Sequence, residues 1–169
     1  MRKLKGYKKL NKAVTAQLQP FGIKKAVGGD DYAYYFGKNI VTFRLEILDC
    51  DKVFSDFLLE RFGYDDTNIF IISLLHEVGH HKTDDDINEN IYQFCQQEKA
   101  RIEEEISHTL SPNRWKELQY QYFNLPDEIM ATQWAVNYAK KHPKKVRKMW
   151  TECEKALHEF YAKNLGVDK

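Results

Sequence analysis

Hydrophobic and polar residues follow two different periods in the first part of the chain. Residues 8–19 keep a helical period. From Tyr32 to Leu48 the period becomes two, which is typical of a strand with one buried face. The side chains that share this face are Val41, Phe43, Leu45 and Ile47. Because Tyr32–Phe36 precedes the strand across Gly37-Lys38-Asn39, we expect a hairpin within a small antiparallel sheet of two or three strands.

After Asp49 the hydrophobic period is helical almost throughout. The predicted helices cover residues 51–62, a segment opened by Thr67, a long segment from about Asp86 to Leu110, and residues 113–123, 127–141 and 143–165. The fold class is therefore α+β, mostly helical, with the small antiparallel sheet preceding the Thr67 helix.

Two of these helices have distinctive starts and faces. The Thr67 helix, for which Asp65, Asp66 or Thr67 can act as the N-cap, is apolar nearly all round and is expected in the centre of the core. The Asp86 helix has Glu89 at capping-box spacing and carries an apolar stripe. The residues of that stripe are Ile87, Ile91, Phe94, Cys95, Ile102, Ile106 and Leu110.

Composition and charge limit the classes of protein that fit. A chain of 169 residues with 43% hydrophobic and 14% aromatic content is expected to fold as a single domain over residues 1–169. A formal net charge of +1 creates no global field that would attract nucleic acid or an anionic membrane. Neither partner is therefore expected.

The cysteines and the N-terminal segment indicate a cytoplasmic location. Cys50, Cys95 and Cys153 are odd in number and widely spaced, so they predict neither a disulfide framework nor a zinc ribbon. The basic residues after Met1 are not followed by the apolar region of a signal peptide, and no stretch is apolar enough to span a bilayer.

The strongest chemical pattern is His76-Glu77-Val78-Gly79-His80, late in the apolar helix. Residues four apart on a helix differ by about 40° around the axis and about 6 Å along it, so His76 and His80 can share a tetrahedral Zn²⁺. Glu77 is rotated by about 100° and lies beside the metal, where it can act as a general base toward a water. Gly79 permits another element to pack closely against this helix.

Two histidines leave a catalytic zinc one protein ligand short. The residues that can complete the set are Glu128, Asp127, His108 and Cys95. Glu128 shares a helical face with small residues that would let its helix approach closely, whereas Asp127 follows Pro126 and is typical of a first-turn carboxylate. His81 is turned away from His80 and is not expected to bind the metal.

Two motifs together resemble a known family. The His76–His80 motif on an apolar helix resembles the zincin metallopeptidases, and Glu128-Ile129-Met130-Ala131-Thr132-Gln133-Trp134-Ala135 is similar to the E-x-x-A-x-x-[FW]-A helix of the gluzincin type. The ImmA/IrrE-like metallopeptidases of phage and bacteria have this combination, with Asn usual at the place of Thr132. The resemblance implies a minimal zincin in which Glu128 is the third zinc ligand.

The resemblance also implies an activity. We expect a zinc-dependent metallohydrolase, and specifically a peptidase that cleaves a protein or peptide; proteins of this group are often repressor-cleaving peptidases. The strand at Ile40–Leu48 would then bind extended substrate as the edge of the sheet. Candidate oxyanion-stabilising residues are Tyr92, Tyr120, Tyr122, Tyr138 and His108. The alternative is a zinc-binding regulatory or protein-interaction domain without turnover.

Overall fold

The computed structural model describes residues 7–65 and 68–165. Within them the chain forms α1 (Tyr7–Leu18), β1 (Lys25–Gly28), β2 (Ala33–Tyr35), β3 (Ile40–Phe43), α2 (Asp49–Phe62), α3 (Ile69–Thr83), α4 (Glu89–His108), α5 (Pro112–Phe123), α6 (Pro126–Lys141) and α7 (Pro143–Leu165). Short 3₁₀ turns follow α1 and α3. Helices dominate these elements, so the predicted mostly helical α+β class is confirmed.

The three strands form a mixed sheet in the order β1-β3-β2. β2 and β3 pair antiparallel, with Tyr34 opposite Val41, so the predicted hairpin is confirmed. β1 pairs parallel with β3, with Ala26 opposite Val41, and the sheet is therefore not purely antiparallel. Because β3 is paired on both sides, the prediction that it forms the substrate-binding edge of the sheet is wrong.

Strand β3 is also shorter than the alternating pattern predicts. It ends at Phe43, and the Ile47 side chain, predicted to face the core, is 71% exposed. The chain turns here into α2, where the Asp51 carboxylate accepts a hydrogen bond from the Leu48 backbone N–H at 2.7 Å. Residues 44–48 connect β3 to this helix start, so the alternating pattern of side chains continues beyond the strand itself.

The chain divides into two compact units, and the first comprises Met1–Leu45 and Ala139–Lys169. In its described part, α1 packs against β1 and α7. Two side chains of α1 hold β1 by hydrogen bonds: Thr15 Oγ1 accepts from Ala26 N at 2.8 Å and Asn11 Oδ1 accepts from Gly28 N at 2.9 Å. The buried core of this unit includes Leu10, Val14, Val41, Phe43, Cys153 and Phe160.

The second unit, Glu46–Tyr138, contains α3. Residues 71–80 of this helix are all buried, which confirms the prediction of a core helix. Its N-cap is Asn68, whose side chain accepts from Ile71 N at 3.2 Å. The predicted cap at Asp65, Asp66 or Thr67 is therefore wrong; Asp66 and Thr67 lie outside the described residues. The helix starts later because the Asn68 side-chain oxygen accepts a hydrogen bond from Ile71 N–H, one of the free N–H groups of the first turn.

Helices α4 and α5 and the turn after α5 form an apolar cluster in this unit, made of Cys95, Ile102, Leu118 and Leu125. The N-cap of α4 is Asn88, which accepts from Ile91 N at 3.0 Å, and the predicted start near Asp86 falls in the preceding 3₁₀ turn. Among the described residues, no helix combines the length and apolar character that crossing a membrane requires.

Candidate metal centre

Helix α3 presents two imidazoles from the same face. The His76 and His80 ring centroids are 4.7 Å apart, with nearly perpendicular planes. Each histidine is only 8% exposed. Burying polar rings is unfavourable unless they have partners, so the burial itself points to groups that meet these nitrogens.

Helix α6 supplies that partner from its first turn. Glu128, which is 3% exposed, has Oε2 3.0 Å from His76 Nε2 and Oε1 3.4 Å from His80 Nε2. Each of the three residues offers one ligand atom, and these atoms lie within 4.8 Å of one another. The structure thus brings together His76, His80 and Glu128, the three residues expected to bind a metal.

The arrangement fits a zinc ion in both chemistry and spacing. With zinc–ligand bonds of about 2.0–2.1 Å, neighbouring ligands of a tetrahedral zinc are about 3.3 Å apart. The separations of 3.0 Å between Glu128 Oε2 and His76 Nε2 and of 3.4 Å between Glu128 Oε1 and His80 Nε2 are close to that value. Two imidazoles and one carboxylate form the His₂Glu set that leaves a position open in catalytic sites.

The close approach of α6 depends on Gly79. A Cβ atom at this position would lie 2.3 Å from the Ala131 carbonyl oxygen and 2.8 Å from the Ala131 Cα atom. No side chain fits there, so α3 and α6 touch backbone to backbone. Since Glu128 lies one turn before Ala131, this contact sets the distance between the carboxylate and the histidines.

A second contact between the same helices orients His76. Thr132 Oγ1 lies 3.0 Å from His76 Nδ1, and Thr132 is 1% exposed. With Nδ1 engaged by the hydroxyl, Nε2 is the nitrogen directed at Glu128. The Phe54 ring meets the His76 ring edge to face at 5.5 Å and forms an apolar wall beside it. The sequence did not assign this role to Thr132.

Two further groups lie beside the three candidate ligands. Glu77 is 6% exposed on the same turn of α3. Burial raises the pKa of the Tyr122 phenol, and the carboxylates of Glu128 and Glu77 add to this effect, so the hydroxyl stays protonated at neutral pH. Tyr122 is therefore a hydrogen-bond donor within electrostatic reach of both carboxylates.

Lys99 of α4 is the main feature of the site that the sequence analysis missed. Its ammonium forms ion pairs with Asp127 Oδ2 and Glu128 Oε1, and its side chain is only 15% exposed. Burial acts to lower the pKa of Lys99, but the Glu128 and Asp127 carboxylates outweigh burial and raise it. A signal was present in the sequence, because Lys99 follows Cys95 by four residues and so interrupts the apolar stripe of α4.

The two histidines keep Glu128 ionised. Burial acts to raise the pKa of its carboxyl, but His80 and His76 outweigh burial and hold the pKa well below its usual range. A carboxylate, rather than a carboxylic acid, therefore faces the two Nε2 atoms.

The other candidate ligands do not join the cluster of His76, His80 and Glu128. Asp127 is a buried first-turn carboxylate whose Oδ1 accepts from Glu128 N at 2.9 Å. His108, at the end of α4, has Nδ1 2.8 Å from the Glu104 carbonyl oxygen. Cys95 is buried in the α4–α5 cluster. None of these residues, nor His81, belongs to the group of possible ligands found among residues 7–65 and 68–165.

The remaining candidates for oxyanion stabilisation have other surroundings. Tyr120 packs on Phe57, Tyr138 stacks on Trp134, and Tyr92 is exposed in the first turn of α4.

Comparison of the chain with models of protein families, with curated proteins and with solved structures gives no match. The role of the site therefore follows from the geometry of its own residues.

Proposed function

We propose that this protein is a zinc-dependent metallohydrolase, and specifically a peptidase of the gluzincin type. The proposal rests on the cluster of His76, His80 and Glu128. All three residues are buried, and their ligand atoms lie within 4.8 Å of one another. The adjacent Glu77 supports catalysis over a structural role, because a site that only stabilises the fold has no use for a general base.

Each residue has a chemical role in this proposal. The imidazoles and the Glu128 carboxylate would hold Zn²⁺, which when bound would supply a Lewis acid for activating water and polarising a carbonyl. Glu77 accepts the proton of the attacking water and transfers it to the leaving amine. Tyr122, whose ring centre lies 5.4 Å from the Lys99 ammonium beside Glu128, is the proposed donor of a hydrogen bond to the developing oxyanion.

The proposed substrate is a protein or peptide, and the proposed location is the cytoplasm. The odd number and wide spacing of Cys50, Cys95 and Cys153 support a reducing compartment. We propose neither a membrane nor a nucleic-acid partner.

The test measures zinc content and turnover separately. The wild-type protein should bind one zinc and cleave an unfolded protein mixture, and a chelator should abolish the cleavage. Glu77→Gln should keep the zinc but lose most of the activity, because the amide preserves shape and cannot accept the proton. Glu117→Gln is the matched control, since Glu117 is an exposed residue paired with Arg114.

Each result has a defined meaning. Zinc binding without cleavage would indicate a regulatory or protein-interaction domain and would contradict the peptidase proposal. Loss of zinc in Glu77→Gln would make Glu77 a ligand. Undiminished cleavage by that variant would exclude it as the base.

A further inference from the structure

A buried lysine within contact of a candidate metal ligand is unusual, because an ammonium and a divalent cation repel each other. Lys99 occupies this position on α4. Its ammonium contacts one oxygen of Glu128, Oε1, and one oxygen of Asp127, Oδ2. The two carboxylates are thereby tied together at the start of α6.

The lysine is itself held in place from several sides. Its Nζ lies 5.4 Å from the centre of the Tyr122 ring, in a cation–π contact. Asp127 is fixed in turn, because its Oδ1 accepts the Glu128 backbone N–H at 2.9 Å. A charged group with two carboxylate partners and an aromatic face has little freedom to move, so it can define the orientation of Glu128.

The two oxygens of Glu128 are not equivalent in this arrangement. Oε1 is engaged by Lys99 and is 3.4 Å from His80 Nε2, whereas Oε2 is 3.0 Å from His76 Nε2. A carboxylate can bind a metal through one oxygen or through both. An ammonium on Oε1 favours binding through Oε2 alone.

We infer that Lys99 is a positioning residue that makes Glu128 a one-oxygen ligand and so keeps a coordination position open for water. The inference rests on the proposed function, because it concerns the same metal centre. It goes further in assigning a task to α4, which carries neither the two histidines nor the glutamate. Binding through both oxygens would instead fill the position that the reaction requires.

Cobalt(II) in place of zinc provides the test, since its visible absorption is intense with four ligands and weak with five. The wild-type protein should bind one Co²⁺ with the intense four-coordinate spectrum. Lys99→Met should still bind one Co²⁺ but lose the intense absorption, because both Glu128 oxygens become available. Its kcat should fall while KM for a peptide changes little.

Two variants serve as comparisons. Lys99→Arg should restore the four-coordinate spectrum, because a guanidinium can contact both carboxylates. Lys116→Met is the matched control and should keep the wild-type spectrum, since Lys116 forms an exposed ion pair with Asp56 at 3.2 Å. If Lys99→Met does not fold, the same spectra are recorded from Lys99→Met/Asp127→Asn, in which one of the two unpaired carboxylates is removed.

The outcomes separate this inference from the proposed function. A wild-type protein that binds neither zinc nor cobalt contradicts both. A wild-type protein with a four-coordinate spectrum and peptidase activity, together with an unchanged spectrum in the lysine variant, overturns the inference about Lys99 alone. A five-coordinate spectrum in the wild-type protein also overturns it.

Discussion

The contact between Gly79 and α6 predicts the effect of substituting Gly79, and the structure sets the size of that effect. In Gly79→Ala the new Cβ atom would lie 2.3 Å from the Ala131 carbonyl oxygen. Because the optimal van der Waals separation of non-bonded heavy atoms is about 3.5 Å, the two helices would have to separate by about 1 Å. That shift moves Glu128 away from both histidines, since all three residues are carried on these two helices.

The expected effects on stability and on metal binding differ in size. Overpacking costs about 1–3 kcal/mol, and the better helix propensity of alanine offsets about 1 kcal/mol of it. The free energy of unfolding should therefore fall by no more than about 2 kcal/mol. Metal sites tolerate ligand displacements of about 0.2 Å, so a 1 Å shift should weaken zinc binding by at least about 10-fold to 100-fold.

The assay combines two measurements on the same protein. Urea unfolding of the metal-free protein reports stability, and competition with a coloured chelator reports zinc affinity. Gly29→Ala is the control, because the nearest atom to a Cβ there is 3.9 Å away, in Thr42. Wild-type zinc affinity in Gly79→Ala would refute the reasoning, since it would show that the backbone contact does not set the position of Glu128.

Two other predictions concern single buried side chains. Thr132→Val keeps the volume but removes the hydroxyl 3.0 Å from His76 Nδ1, so zinc affinity in a chelator competition should fall about 10-fold; unchanged affinity would contradict the orienting role. Burial raises the pKa of Cys153 to about 12, so the unfolded chain loses this proton first as pH rises above 9.0. The buried thiol therefore contributes its full stabilisation below the ordinary thiol pKa. Above it, the free energy of unfolding should decline by about 1.4 kcal/mol per pH unit up to about pH 12. Urea unfolding at several alkaline pH values should show a smaller slope of unfolding free energy against pH in Cys153→Ala than in the wild-type protein. An equal slope in both proteins would refute the role of Cys153.

Short-range patterns predicted most of the elements and the face that carries the candidate ligands. The final helix has the predicted bounds, Pro143–Leu165, because its apolar period and its proline start act within a few turns. The spacing of His76 and His80 placed two imidazoles on one side of α3 for the same reason. The hairpin of β2 and β3 was equally local, since a short loop joins its strands.

Longer-range features were decided by tertiary structure alone. The parallel pairing of β1 with β3 needs a register that no turn specifies, and it converts the predicted edge strand into a central one. The contact of Lys99 with Glu128 depends on how α4 packs, and the contact of Thr132 with His76 depends on how closely α6 approaches α3. A residue's own helix determines the face on which its side chain lies. Which residue of another helix meets that side chain is determined only when the two helices pack, because close packing depends on the shapes of both surfaces together.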